Sequence, residues 1–187
     1  MNNNRDHWSL RNIILITLIA IFCGVIFWGT GFLYTGLTLI LTPFGLAPLA
    51  NDILMGVWCM AGPLAGMVIK VPGSAFLGEF LGSAVEVFLG GQWGASAFIS
   101  GLVQGIGSEL GFTLTGYKHY NWLGITASVI TTTIVTFGWD MIRNGYNHYD
   151  LGLLSLLFIT RLVSTFIFSG IITVLVSKLL TRSSREE

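Results

Sequence analysis

Apolar positions run along this chain in long blocks, separated by short polar or glycine- and proline-rich breaks. Blocks of this length predict membrane helices, not the alternating short segments of a β-barrel. The first predicted helix runs from about Asn12 to Tyr34. Residues Thr35 to Ala50, TGLTLILTPFGLAPLA, are apolar but interrupted by Gly36, Pro43, Gly45 and Pro48, which predicts a re-entrant or interfacial segment lying as a lid over one membrane face. The second helix spans about Asn51 to Val71, with a kink expected at Pro63. Pro72-Gly73 turns the chain directly into a third helix that ends at Gly90-Gly91. The fourth covers about Ala95 to Tyr117 and the fifth about Asn121 to Ile142. After the polar loop Arg143 to Asp150, the sixth runs from Leu151 to Leu180, and the tail TRSSREE is expected to be solvated. The fold class is therefore all-α: one polytopic membrane bundle over residues 1–187, six transmembrane helices with an interrupted segment between the first two.

The third helix carries the most telling departure from apolarity. Glu79 and Glu86 are seven residues apart, close to two turns, so both carboxylates lie on one stripe with Gly82 and Ser83 between them. Acids within a membrane helix face the bundle interior or a water-filled cavity, or make a polar contact between helices. Elsewhere Gly101, Gln104, Gly105 and Ser108 give the fourth helix a small, polar face flanked by Glu109. Thr132, Thr133, Thr136 and Asp140 form a polar stripe on the fifth. Arg161 is the one embedded cation, and an acid is expected to pair with it. On the first helix, Ala20 and Gly24 form a small-xxx-small pair that allows close approach of another helix, within the chain or outside it.

Composition narrows the class. The 187 residues are 53% hydrophobic and only 10% charged, against about a quarter charged in soluble domains. The net charge is zero, so there is no basic footprint for nucleic acid. Cys23 and Cys59 lie in apolar runs without metal-ligand spacing and read as buried thiols. The polar start MNNNRDHWSLRN precedes an apolar run longer than a signal-peptide core, which predicts a retained helix. With the N-terminus placed in the cytoplasm, six spans put Arg5, Arg11, Lys70, Lys118, Lys178, Arg182 and Arg185 inside and only Arg143 outside, a strong positive-inside bias. Both termini are then cytoplasmic, in a multi-pass protein of the cell membrane.

That orientation gives depth. Trp28, Trp58, Trp93 and Trp139, four of the six tryptophans, fall in the outer leaflet, with Glu86 and Gln104 at similar depth. An interfacial aromatic belt accounts for some of them, but Trp58 lies about two turns inside its helix. Aromatic faces beside spare carboxylates suit a flat cationic or amine-bearing heterocycle. Position and chemistry nominate Trp58, Gln104, Glu109 and Asp140 as ligand contacts. His7, His119 and His148 are scattered, and there is no HExxH, GxSxG or glycine-rich phosphate loop followed by Lys-Ser/Thr. No catalytic residue, metal site or cofactor is expected, and ATP-derived energy would have to come from another chain.

The run GVWCMAGPLAGMVIKVPGSAFLGEFLGSAVEVFLGGQWG, Gly56 to Gly94, resembles the YkoE family, most specifically at Lys70-x-Pro72-Gly73, Glu79, Glu86 and Gly90-x-Gln92-Trp93-Gly94. These are substrate-binding S components of energy-coupling factor (ECF) vitamin transporters. The resemblance implies capture of thiamine or its hydroxymethylpyrimidine precursor on the outer side. It also implies partnership with a T component and two ABC-type ATPases, and toppling of the loaded subunit in the membrane. It makes Glu79, Glu86, Gln92 and Trp93 the first choices for ligand contact. The family's paired alanines that dock the T component correspond here to Ala20-x-x-x-Gly24. Two other readings compete: a stand-alone secondary carrier with Glu79 and Glu109 as proton or cation relays, and an intramembrane enzyme using Glu79 and Glu86 as acid and base, for which no nucleophile or metal set is present.

Overall fold

The computed structural model describes residues 8–183, and side chains through residue 180. Arg5, His7 and Arg185 lie outside it, as does most of the TRSSREE tail. All regular structure among the described residues is helical. The α-helices are α1 (Leu10–Leu41), α2 (Leu49–Trp58), α3 (Ala61–Ile69), α4 (Ser74–Phe88), α5 (Ser96–Leu114), α6 (Trp122–Arg143), α7 (Leu151–Thr165) and α8 (Thr173–Ser183), and a π-helical stretch, Phe166–Ile172, joins the last two. Four stretches are long and apolar enough to cross a membrane: Leu10–Phe44, Leu49–Ile69, Trp122–Arg143 and Leu151–Leu180. The third and fourth predicted spans, α4 and α5, are not among them. α4 has only 15 residues, and Gln104, Ser108 and Glu109 interrupt α5.

Side-chain caps set several helix starts. Ser9 accepts from the Asn12 N–H, Asn121 from Leu123, and Asp150 from Gly152 and Leu153, each satisfying first-turn donors that have no intrahelical partner. Both ends of α6 and the start of α7 follow the sequence expectation closely, whereas the sixth predicted helix, expected to run unbroken to Leu180, is divided by the π-helical stretch after Thr165. α1 does not. It continues seven residues past Tyr34, through Thr35 and Gly36 to Leu41, so the interrupted segment shrinks to a 3₁₀ turn at Thr42–Phe44 and a short loop. A lone glycine costs a helix only about 1 kcal/mol, too little to stop an apolar run of this length. Pro43 followed by Gly45, at φ +71°, does stop it. Trp28 consequently lies mid-helix, edge-on to Phe32, and not at the outer end of a span.

The second predicted helix is also different in detail. The kink expected from Pro63 is a full break at Cys59–Met60, because a proline removes the bond to the carbonyl four residues before it and crowds that carbonyl. Pro63 then sits in the first turn of α3, where its missing N–H costs nothing. The break leaves the N-terminus of α3 buried in the middle of the bundle.

α4 lies between α1, α3 and α5. Its buried stripe is Ser74, Ala75, Gly78, Glu79, Gly82, Ser83 and Glu86, the face expected from the spacing of the two acids. The small residues are there for backbone approach. A Cβ on Gly78 would lie 2.5 Å from that of Ala65, and one on Gly24 of α1 would lie 2.5 Å from Val85 Cβ. The Ala20/Gly24 face is thus spent inside the chain: both residues are buried, Gly24 against α4. The tightest contact of α2 is with α7, where a Cβ on Gly56 would lie 2.1 Å from the Ser164 carbonyl oxygen. Gly56→Ala is expected to cost about 1–3 kcal/mol, as overpacking against backbone does, and to lower the thermal midpoint in detergent. An unchanged midpoint would mean that α7 yields freely at this point.

Candidate functional site

Two of the acids nominated from sequence are held by helix ends. Glu79 Oε2 accepts the Gly62 N–H at 2.6 Å, so its carboxylate caps the buried N-terminus of α3 created by the break, while its Oε1 has no partner. Glu109 does the same for α4: Oε1 accepts from Gly73 at 2.6 Å and Oε2 from Phe76 at 3.0 Å. Neither lines the main cavity. Gln92 also lies outside it. Its Nε2 donates to the Gly31 carbonyl at 2.9 Å and its Oε1 accepts from the Thr35 hydroxyl at 3.1 Å, fastening the α4–α5 loop to α1.

The other nominated contacts come together. Trp58, Glu86, Trp93, Gln104 and Asp140 all line one cavity of about 400 Å³, walled by α1, α2, α4, α5 and α6 and by the α6–α7 loop. That is the size range of small-ligand sites. One wall is aromatic: Tyr34, Trp58 and Trp93 pack together, with ring centroids 4.9 Å apart for Tyr34–Trp93 and 6.2 Å for Trp58–Trp93. The Trp58 indole N–H donates to the Phe27 carbonyl at 3.2 Å, which fixes its ring. Trp139 supplies a further wall, and its indole N–H is buried without a partner. Glu86 is 4% exposed, and its Oε1, beside Gly91, has no hydrogen-bond partner. Gln104 makes only a weak contact, from Nε2 to the Met55 sulfur at 3.8 Å. A buried carboxylate and indole left unpaired in this way stand ready for a ligand's donor and acceptor.

Asp140 is committed elsewhere. Its Oδ2 accepts from Arg161 at 2.5 Å and from Asn51 at 2.9 Å, and its Oδ1 from Asn144 at 2.9 Å. Arg161 is fully buried and also donates from Nε to Asp52 Oδ1 at 2.6 Å, while the Tyr146 hydroxyl donates to Asp52 Oδ2 at 2.9 Å. The guanidinium stacks near Phe137 and Tyr146, with centroids at 5.2 and 5.9 Å. Two acids, not one, therefore share the embedded cation. Asp52 escapes a sequence reading because it falls at the very start of its helix, where an acid looks solvated. Tyr34 and Tyr146 escape it because they read as helix end and loop. The available signal was the charge imbalance around Arg161.

Comparisons with known proteins agree with this architecture. Residues 11–135 match the family described as "ABC-type cobalt transport system, permease component". The chain is 27% identical over 171 residues to YkoE of Bacillus subtilis (strain 168), named as an HMP/thiamine permease protein, covering 88% of this chain and 80% of that one. A solved structure titled as an S-component of an ECF transporter superposes with a TM-score of 0.85 at 26% identity, covering 95% of this chain and 88% of the other. These relatives are transport proteins, not enzymes. The chain belongs to the family of ABC-type cobalt transport system permease components and is, within it, a membrane-embedded S component of the ECF type.

Proposed function

We propose that this subunit captures thiamine or its hydroxymethylpyrimidine precursor in the cavity around Glu86 and hands it to an ATP-driven ECF importer comprising a T component and two ATPases. The observation that carries the substrate class is Glu86: a buried carboxylate on the cavity wall, with an oxygen lacking any partner, beside a cage of indoles. An aminopyrimidine offers an amine to the carboxylate and a flat face to Trp58 or Trp93. The name borne by the B. subtilis relative supports the same class. The thiazolium of thiamine has a counter-charge nearby, since Asp52 and Asp140 share a single guanidinium. Cobalt, in the family description, is not the proposed cargo: among the described residues no three of His, Cys, Asp and Glu are grouped to hold a metal ion. The positive-inside count supports six passes with both termini in the cytoplasm and the cavity facing out. The stand-alone carrier is the less favoured reading, because Glu109 is held at the N-terminus of α4 through both oxygens and Glu79 at that of α3 through Oε2, with only Glu79 Oε1 left without a partner.

The test is a titration of the detergent-purified chain with thiamine and with hydroxymethylpyrimidine, read by tryptophan emission. Saturable quenching is expected, because Trp58, Trp93 and Trp139 line the site. No saturable change with either compound, confirmed by calorimetry, would remove the substrate class.

A further inference from the structure

Arg143 is the second charged group of the cavity wall left without a counter-ion. It is the last residue of α6 and is exposed, whereas Glu86 is buried, so the two mark the outer and inner reaches of one site. A cation at a helix C-terminus is favourable in itself. The side chain nevertheless reaches across to α5, where Nη2 donates to Ser96 Oγ at 3.1 Å and Nη1 donates to Ser100 Oγ. The guanidinium carbon lies 6.0 Å from the centre of the Trp93 ring. Every one of these partners is neutral. Both ion pairs among the described residues belong to Arg161. The other lining acid, Asp140, is saturated by Arg161, Asn51 and Asn144. The cavity therefore presents an unpaired carboxylate at its buried end and an unneutralised guanidinium at its open end, which is complementary to a ligand with an amine at one end and an anion at the other.

We propose that Arg143 is a specificity-determining residue that recognises an anionic group on the end of the ligand remote from Glu86, so that the site favours phosphate monoesters of aminopyrimidine compounds over the corresponding alcohols. The proposal rests on the aminopyrimidine reading given above and narrows it. A guanidinium matches phosphate in a two-pronged, charge-assisted geometry, and the ring of Trp93 holds its plane in place. The Ser96 and Ser100 hydroxyls accept from Arg143 while donating to the Trp93 and Ser96 carbonyls at 2.7 and 3.4 Å, which fixes the guanidinium at the rim of the cavity.

The experiment compares hydroxymethylpyrimidine with its phosphate, and thiamine with its monophosphate, on the full chain in detergent. For the wild type, each ester is expected to bind about tenfold more tightly than its alcohol, as one charge-assisted contact provides. Arg143→Gln should reduce that ratio to about one, and Arg143→Lys should retain part of it, since a lysine keeps the charge but not the fork. The wild-type ratio should also shrink between about 50 and 500 mM salt, as the Debye length contracts. A purely structural latch would weaken ester and alcohol together and leave the ratio untouched. That result, or a wild type that binds the alcohols as tightly as the esters, overturns the proposal while leaving the aminopyrimidine reading intact. Failure of all four compounds to bind the wild type overturns both.

Discussion

Leucine in place of Arg161 is expected to lower the thermal midpoint of the detergent-solubilised protein by about 6–20 °C, the shift that a loss of about 3–5 kcal/mol produces in a chain of this size. The guanidinium is wholly buried and ties Asp52 of α2 to Asp140 of α6 from its seat on α7. Removing it strands two carboxylates in the interior, and an uncompensated buried charge is what makes broken ion pairs costly. The triple variant Asp52→Asn, Arg161→Leu, Asp140→Asn should recover a large part of the loss, because it leaves no charge behind. Fluorescence-detected size exclusion after heating reads both. A single variant within about 2 °C of the wild type, less than 1 kcal/mol, would show that the cluster carries little of the stability.

Glutamine at position 86 should weaken binding of hydroxymethylpyrimidine and thiamine by about 10- to 150-fold, the range for losing one hydrogen bond to a charged group. The change keeps the side chain's size and removes only its charge, so packing at 4% exposure is preserved. Glu79→Gln and Glu109→Gln make the contrast. Each weakens a helix N-terminus and so should lower the thermal midpoint, while affecting affinity less than Glu86→Gln. If Glu86→Gln binds as the wild type does and Glu79→Gln does not, the ligand sits on the α3 side of α4 and the cavity assignment is wrong.

Periodicity carried much of this architecture in the sequence. Two acids seven residues apart had to share a face of α4, and they do, together with the glycines that let α1 and α3 close in. Asn121 and Asp150, each followed by an apolar run, marked the starts of α6 and α7. The cavity wall was legible where the face and depth of a residue followed from its own helix, as for Glu86 and Trp58, which both line it. The site was illegible where the partner is backbone made available by a distant break. Pro63 announces a kink, but not that the helix opens fully at Cys59–Met60, so the demand of α3 for an anion, and the commitment of Glu79 to it, could not be read in advance. The tie from Gln92 to α1 was hidden for the same reason, since the Gly31 carbonyl it reaches lies on a stretch of α1 that no local pattern places beside it. Asp52 and Arg161 are 109 positions apart, beyond any spacing rule.

The length of α1 has a mechanical consequence. Thirty-two residues at 1.5 Å rise make a rod of about 48 Å, against a hydrocarbon layer of about 30 Å. The rod must lean steeply or protrude, and a leaning helix anchored by packing to α4 tips that neighbour with it. Tyr34 and Thr38, on the segment that overshoots, would then stand at headgroup height, where water and solutes reach the hollow without crossing lipid.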